Sequence, residues 1–259
     1  MWESAGMARA RKRHVQQVLP LRCLDKNGQL RGGPRIGAGR KPKGGRAGMS
    51  HAKRQALSGR EPLHVSIRVA RDVASLRRRF LYKAVRGAMV VASVRADFRI
   101  VDVSIQGTHI HLLVEAENER ALANGMRAFE ISAARRINAA ITRRTGRRRT
   151  GAVFPDRYHA HVLRTPRETR NALAYVLNNW RKHREDREHR DDPLAIDSYS
   201  TAPSFDGWGE VDPTRLRWPP EYEPLPRAAP QTWLLRAGWK RHGLLSTLEV
   251  PGGHELADA

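Results

Sequence analysis

The segment GTHIHLLVEA, residues 107–116, sets His109 and His111 at alternate positions in an otherwise apolar run. In a strand, alternation sends Ile110, Leu112 and Val114 to one face and both imidazoles to the other. Two neutral imidazoles about 7 Å apart at i and i+2 can share one divalent metal, with an oxygen from elsewhere completing the site. In TPRETRNALAYVLNNWRKH, residues 165–183, Asn171, Tyr175 and Asn179 recur at i, i+4 and i+8 along one helical stripe. A tyrosine and an amide oxygen one turn apart, brought to such histidines, describe metal-assisted attack on phosphorus. The metal polarises the phosphodiester, the tyrosine oxygen attacks in line, and an O-linked phosphotyrosine conserves the bond energy. Taken singly, a His-x-His strand reads as surface or packed histidines and a helical tyrosine reads as core; the conjunction carries the chemistry.

The elements that position these residues follow from periodicity. PLHVSIRV (62–69) alternates, with Val65, Ile67 and Val69 on one face. From Asp72 to about Val94, Leu76, Phe80, Ala84, Val91 and Val94 suit a helix with a basic outer face. FRIVDVSIQ (98–106) alternates, with Val101, Val103 and Ile105 on one side, and Gly107 turns it into the histidine strand as an antiparallel hairpin. Residues 119–142 read as a second helix, with Leu122, Met126, Phe129, Ala133 and Ile137 at steps of three and four. AVFPDRYHAHVLR (152–164) reads as a last strand. The order β-α-β-β-α-β predicts an α+β, ferredoxin-like sheet with both helices on one face and the histidines on the open one. The helix of 165–183 carries Thr165 at N-cap, Pro166 at N1 and Glu168 at N3, a capping box; it follows the last strand directly and can cross the open face.

The chain has 259 residues, 48 Lys or Arg against 26 acids, and a formal net charge of +22, which favours a polyanionic partner. Residues 1–60 hold 15 Lys or Arg and two acids, Glu3 and Asp25. Poor in large apolar side chains, they are expected to form a flexible basic arm. Within it, GRKPKG (Arg40, Lys41, Lys43) is similar to an AT-hook core, or else is a solvated linker. Further expected DNA contacts are Arg143, Arg144, Arg147, Arg148 and Arg149 in the loop RRTGRRR, with Arg157, His161 and Lys182. The catalytic domain is expected over 61–187. Residues 188–259 read as a Pro-rich extension wrapped on the domain, ending in a helical stretch, QTWLLRAGWKRHGLL, that either contacts DNA or packs its tryptophans on the body. Cys23 is the only cysteine, which excludes an intramolecular disulfide and a cysteine-rich zinc site. No run approaches about 18 apolar residues and no apolar leader is visible, so the expectation is a soluble, cytoplasmic, nucleoid-associated protein.

H-hydrophobic-H on a strand, followed by a helical Y-x-x-x-N, resembles the single-tyrosine HUH transposases, and FPDRYHAHVLRTPRETRNALAYVLNNWRKH is similar to a segment of the REP-associated tyrosine transposases. The resemblance covers roughly residues 62–185. It implies His109 and His111 as metal ligands, Tyr175 as nucleophile and Asn179 as third protein ligand. It also implies a ferredoxin-like fold, Mg2+ or Mn2+ as cofactor, and single-stranded, often hairpin-forming, DNA as substrate. A homodimer is possible but nothing in the sequence indicates one. His159 and His161 form a second His-x-His, read as DNA contact or packing, with a metal site as the alternative.

Two other function classes compete. A non-catalytic nucleic-acid binder would use the open sheet face as an RNA-recognition motif does, but needs aromatics where this chain has Asp102, Ser104, His109 and His111. A two-histidine phosphoesterase needs a second H-x-[ST] motif, which His159-Ala160-His161 does not supply.

Overall fold

The computed structural model describes residues 56–183, 185, 192, 194–212, 216, 218, 220 and 222–251. The expected arm, with Arg40, Lys41 and Lys43, lies outside the described residues apart from residues 56–60. The elements run β1 (Leu63–Arg68), α1 (Arg79–Ala92), β2 (Phe98–Ile105), β3 (His109–Ala116), α2 (Glu119–Thr145), β4 (His159–Val162), α3 (Pro166–Leu177), α4 (Asn179–Lys182) and α5 (Trp233–Arg236). The four strands pair in the order β2-β3-β1-β4, antiparallel throughout. This is the expected ferredoxin-like order, with α1 and α2 packed on one face.

That face is an apolar core of Val65, Ile67, Val103, Ile105, Ile110, Leu112 and Val114 against Leu81, Val85 and Met89 of α1 and Met126, Phe129, Ala133 and Ile137 of α2. Asn118 caps α2 by accepting from the Ala121 amide at 2.9 Å, and Gly146 ends it in the left-handed region at φ 69°. Gly125 lets α2 lie directly on Phe98: a Cβ there would sit 2.2 Å from the ring.

The opposite face is less open than the sequence implies. Val101, Leu113 and Leu163 join Leu173, Val176 and Leu177 of α3 with Phe205, Trp208 and Trp239 in a second core. Two buried carboxylates fasten the C-terminal segment there. Asp102 accepts from Thr201 Oγ1 at 2.9 Å and from Arg227 Nε at 2.7 Å. Glu115 accepts from the amides of Gln231 and Thr232 at 2.9 and 2.8 Å and from Thr232 Oγ1 at 2.8 Å. A buried carboxylate is costly unless its lone pairs are met, and both are met by residues far along the chain.

Several local expectations need correction. The first helix starts at Arg79, not Asp72, because residues 71–78 form turns held by bonds such as Leu76 N to Gly107 O at 2.9 Å. A register shift between Ile100 and Asp102 turns Val101 into the second core, away from Val103 and Ile105. The last strand spans only His159–Val162, since Val153 leaves the ladder to accept from Ala70 N. The long third helix breaks at Asn178 (φ −106°, ψ 14°), whose amide donates to Ser246 O at 2.8 Å. The stretch 231–245 is α5 followed by a 3₁₀ turn over Gly238–His242. It splits its tryptophans, burying Trp239 and leaving Trp233 half exposed with Arg241 stacked over it at 4.8 Å. Among the described residues, no helix is long and apolar enough to cross a membrane.

Candidate active site

Register fixes which side chains share the second face. Ser66 of β1 lies opposite both His111 of β3 and His159 of β4, Arg68 lies opposite His109, and His64 lies opposite His161. Directly opposed residues of an antiparallel pair point to one face, so five histidines on three adjacent strands share it. The rings of His109 and His111 are 6.2 Å apart between centroids and 17° from parallel. His64 stacks on His111 at 5.4 Å.

Helix α3 brings Tyr175 onto this cluster. Its capping box is present: Thr165 Oγ1 accepts from Glu168 N at 3.1 Å, and Glu168 Oε2 accepts from Thr165 N at 3.2 Å. The apolar stripe of Ala172, Leu173, Val176 and Leu177 then fixes the rotation of the helix on the second core. The phenol of Tyr175 meets His111 edge-on at 5.2 Å and His64 at 5.4 Å, with Lys182 Nζ 5.0 Å from the centre of its ring. Asn171 at the start of the stripe is exposed, Tyr175 half-buried and Asn179 fully buried.

Burial favours the neutral form of His64, His109 and His111. It pushes His111 well below the ordinary 6.5, and repulsion from His64 and His109 adds to this. His64 falls to about 4 for the same reason, with His159 and His161 contributing. His109 is lowered by burial and then by Arg68. The Tyr175 phenol is pushed up by burial. A neutral imidazole is the form that ligates a metal.

The donor set fits a divalent cation. His109 Nδ1 is engaged by Thr108 Oγ1 at 2.8 Å, which leaves Nε2 for a metal and orients the ring. His111 Nδ1 and both polar atoms of the Asn179 amide are buried without a hydrogen-bond partner. Asn179 opens α4, four residues after Tyr175, whose ring touches His111. Asn178, in contrast, has its amide taken by Ser246 O. Among the described residues no three His, Cys, Asp or Glu gather as a metal cluster.

Of the expected DNA contacts, Arg143, Arg144, Arg147 and Arg148 are exposed at and beyond the end of α2, and Arg157 and Lys182 are exposed. Arg149 turns inward, donating to Asn138 Oδ1 and Asp72 Oδ2, both at 2.8 Å. His161 is half-buried opposite His64. The sequence reading missed His64, although its phase against Val65 and Ile67 puts it on the histidine face.

The family model of IS200-like transposases matches residues 63–179, the span from β1 to Asn179. Among solved structures, a REP-associated tyrosine transposase bound to a REP hairpin is 16% identical, covering 70% of this chain and 100% of that one at a TM-score of 0.48. A transposase-like protein of Deinococcus radiodurans is 13% identical, covering 45% and 85% at 0.34. A bacterial tRNA(His) guanylyltransferase-like protein in complex with GTP is 16% identical, covering 54% and 74% at 0.37. No curated protein sequence matches. Residues 63–179 are thus similar to the IS200-like transposases.

Proposed function

We propose that this chain is a DNA transposase that cuts and rejoins single-stranded DNA through a covalent tyrosine intermediate. The observation that carries the reading is Tyr175 packed against His111, whose Nδ1 is buried without a protein partner, as are both polar atoms of Asn179 four residues further on. His109, His111 and Asn179 would hold Mg2+ or Mn2+, which supplies Lewis-acid polarisation of the scissile phosphodiester. The Tyr175 oxygen forms the new bond to phosphorus and the bond to the 3′ oxygen breaks. The strand on one side leaves as a free 3′-OH and the other stays as a 5′-phosphotyrosine, ready for attack by another 3′-OH.

Positively charged surroundings serve the substrate. Arg143, Arg144, Arg147, Arg148 and Arg157, with the arm residues Arg40, Lys41 and Lys43, would neutralise phosphates, and His161 would contact the strand near the histidine face. The preference for hairpin DNA and a place at the nucleoid follow from the resemblance to REP-associated transposases. The rival RNA-recognition-type use of the sheet is disfavoured because Asp102 and Ser104 are buried beneath Thr201 and Ser200. The direct test is to incubate the protein with labelled single-stranded hairpin DNA and Mn2+. A denaturation-resistant protein–DNA adduct is expected, and its absence across hairpin sequences that the protein binds would refute the reading.

A further inference from the structure

A cavity of about 370 Å3 opens between α1 and the residues Ser198, Tyr199, Trp218, Tyr222 and Glu223, on the helix side of the β2 edge. Its walls carry Tyr82, Tyr199, Trp218 and Tyr222, with the cations Arg79 and Lys83. The chemistry proposed above uses none of these. The rings are held in place: Tyr82 meets Tyr199 edge-on at 5.3 Å, and Trp218 stacks on Tyr222 at 4.6 Å. Tyr82 donates to Glu223 O at 2.6 Å and Tyr222 to Ser198 O at 3.2 Å. The Arg77 guanidinium covers Tyr199 at 4.4 Å and is locked by Asp197 at 2.9 and 3.0 Å.

Four anchored aromatic rings around a space at the lower end of the roughly 300–1,000 Å3 range of ligand pockets suit one flat ring system. The Glu223 carboxylate, paired with Lys83 and Arg86 at 3.1 Å, lines the same space. Its oxygens keep lone pairs that can accept from the N–H edge of a base, and the rings favour the base over the sugar-phosphate as the group that enters. Location links the pocket to the histidines. Ser104 lies opposite His111 on one side and bridges Ser200 on the other, and Ile105 N donates to Tyr199 O at 2.9 Å. With neighbouring strands about 4.8 Å apart, the chain at Tyr199 runs roughly 10 Å from the histidine strand. A DNA strand leaving the site around the β2 edge covers that in a few nucleotides.

We propose that this cavity receives one unpaired base of the single-stranded DNA flanking the scissile phosphate, stacked against the Trp218 and Tyr199 rings. The proposal rests on the reading of the chain as a single-strand DNA transferase.

The test uses the full chain in EDTA, so that binding is read without cleavage, and a dye-labelled hairpin with single-stranded flanks followed by fluorescence anisotropy. One abasic site is walked along the flanks. At one position its introduction should weaken binding by roughly five- to hundred-fold, the range for removal of one base–aromatic stack. Trp218→Ala should bind the intact strand that much more weakly and show no further abasic effect, while Trp218→Phe, which keeps a ring, should retain the effect. Finding no sensitive position, or an abasic effect unchanged in both Trp218→Ala and Tyr199→Ala, would overturn the proposal. Adduct formation with Mn2+ is scored separately. An adduct without the abasic coupling removes the pocket and leaves the transposase reading; coupling without an adduct does the reverse.

Discussion

The phenol of Tyr175 stands edge-on to the imidazole of His111, ring centroids 5.2 Å apart and planes at 85°. A helix and a strand separated by the whole of α2 and β4 thus meet through the two side chains that a phosphotyrosine mechanism needs. His64 touches both rings from the adjacent strand. The contact is made by ring faces and edges, which leaves the phenolic oxygen for chemistry.

Tyr175→Phe should abolish the covalent adduct and lower cleavage by orders of magnitude, with fold and DNA affinity retained. The ring that packs on His111 and His64 is kept; only the proposed nucleophile is removed, and water lacks its fixed approach geometry, an advantage worth several kcal/mol. Tyr158, which precedes His159 in the chain, is the other tyrosine near the histidine strands, but it is buried in the core on the α1–α2 side. An adduct that survives Tyr175→Phe and vanishes in Tyr158→Phe, seen on a denaturing gel, would move the nucleophile.

Chelation should stop cleavage while much of the binding persists, and His109→Ala or His111→Ala should match chelation. Phosphate contacts by the basic residues do not depend on the histidines, and they dominate nonspecific affinity. Parallel cleavage and anisotropy assays in EDTA and Mn2+ check this. Full cleavage in EDTA would remove the metal from the mechanism.

His64 predicts how stability depends on pH. Its folded value, about 4, lies below the ordinary 6.5, so between these values the unfolded chain binds more protons. Stability is therefore highest above pH 6.5 and falls as pH drops towards 4, by roughly 2–3 kcal/mol from this group. Urea unfolding of the metal-free protein at pH 7 and 4.5 measures it, with His64→Gln as the comparison. The substitution should flatten the difference; an unchanged slope would show that His64 is protonated as easily as a free imidazole. In the metal-loaded protein His64→Gln should also slow adduct formation, because it removes a ring that holds both His111 and Tyr175.

How much of this was legible beforehand depended on whether the signal was local. Period-two alternation in GTHIHLLVEA placed the histidines on one face, and the Thr165 box located the start of α3, because both signals act within a few residues. His64 carried the same phase information in PLHVSIRV but only gains meaning once β1 is known to pair with β3. The bulge that turns Val101 over depends on what covers β2. The break at Asn178 coincides with a side-chain bond to Ser246, far along the chain. Before residue 231 the extension has no period to read, and there residues such as Thr201 and Arg227 meet Asp102 one hydrogen bond at a time. Tertiary interactions overrode local preference in each of these places.

Deleting residues 1–50 should weaken DNA binding and reduce its salt dependence without ending cleavage. The deleted segment holds many of the basic residues and none of the proposed catalytic ones. On single strands, each phosphate that the shortened chain no longer neutralises changes the slope of log K against log salt by about 0.7. Anisotropy titrations over a range of salt measure it. A folded truncation that binds DNA but fails to cut would mean that the arm supplies part of the site.

Asn178 and Asn179 are neighbours with opposite expectations. The Asn178 amide donates to Ser246 O and pins the C-terminal segment to the end of α3, so Asn178→Ala should cost about 1 kcal/mol of stability and leave metal dependence unchanged. Asn179 is fully buried with both polar atoms unpaired. A buried polar group without a partner costs about 1–3 kcal/mol, so Asn179→Ala should leave the metal-free protein as stable as before or more so. In Mn2+ the same change should raise the metal concentration needed for adduct formation at least tenfold, since a ligand is gone. Metal should then stabilise the native chain against urea but not the Asn179→Ala variant at equal concentration. If Asn179→Ala destabilises the metal-free fold and leaves the metal requirement untouched, its amide is structural and the third ligand lies elsewhere. If Asn178→Ala shows the metal defect instead, the ligand is displaced by one residue, and the break in the helix would then have to re-form whenever metal binds.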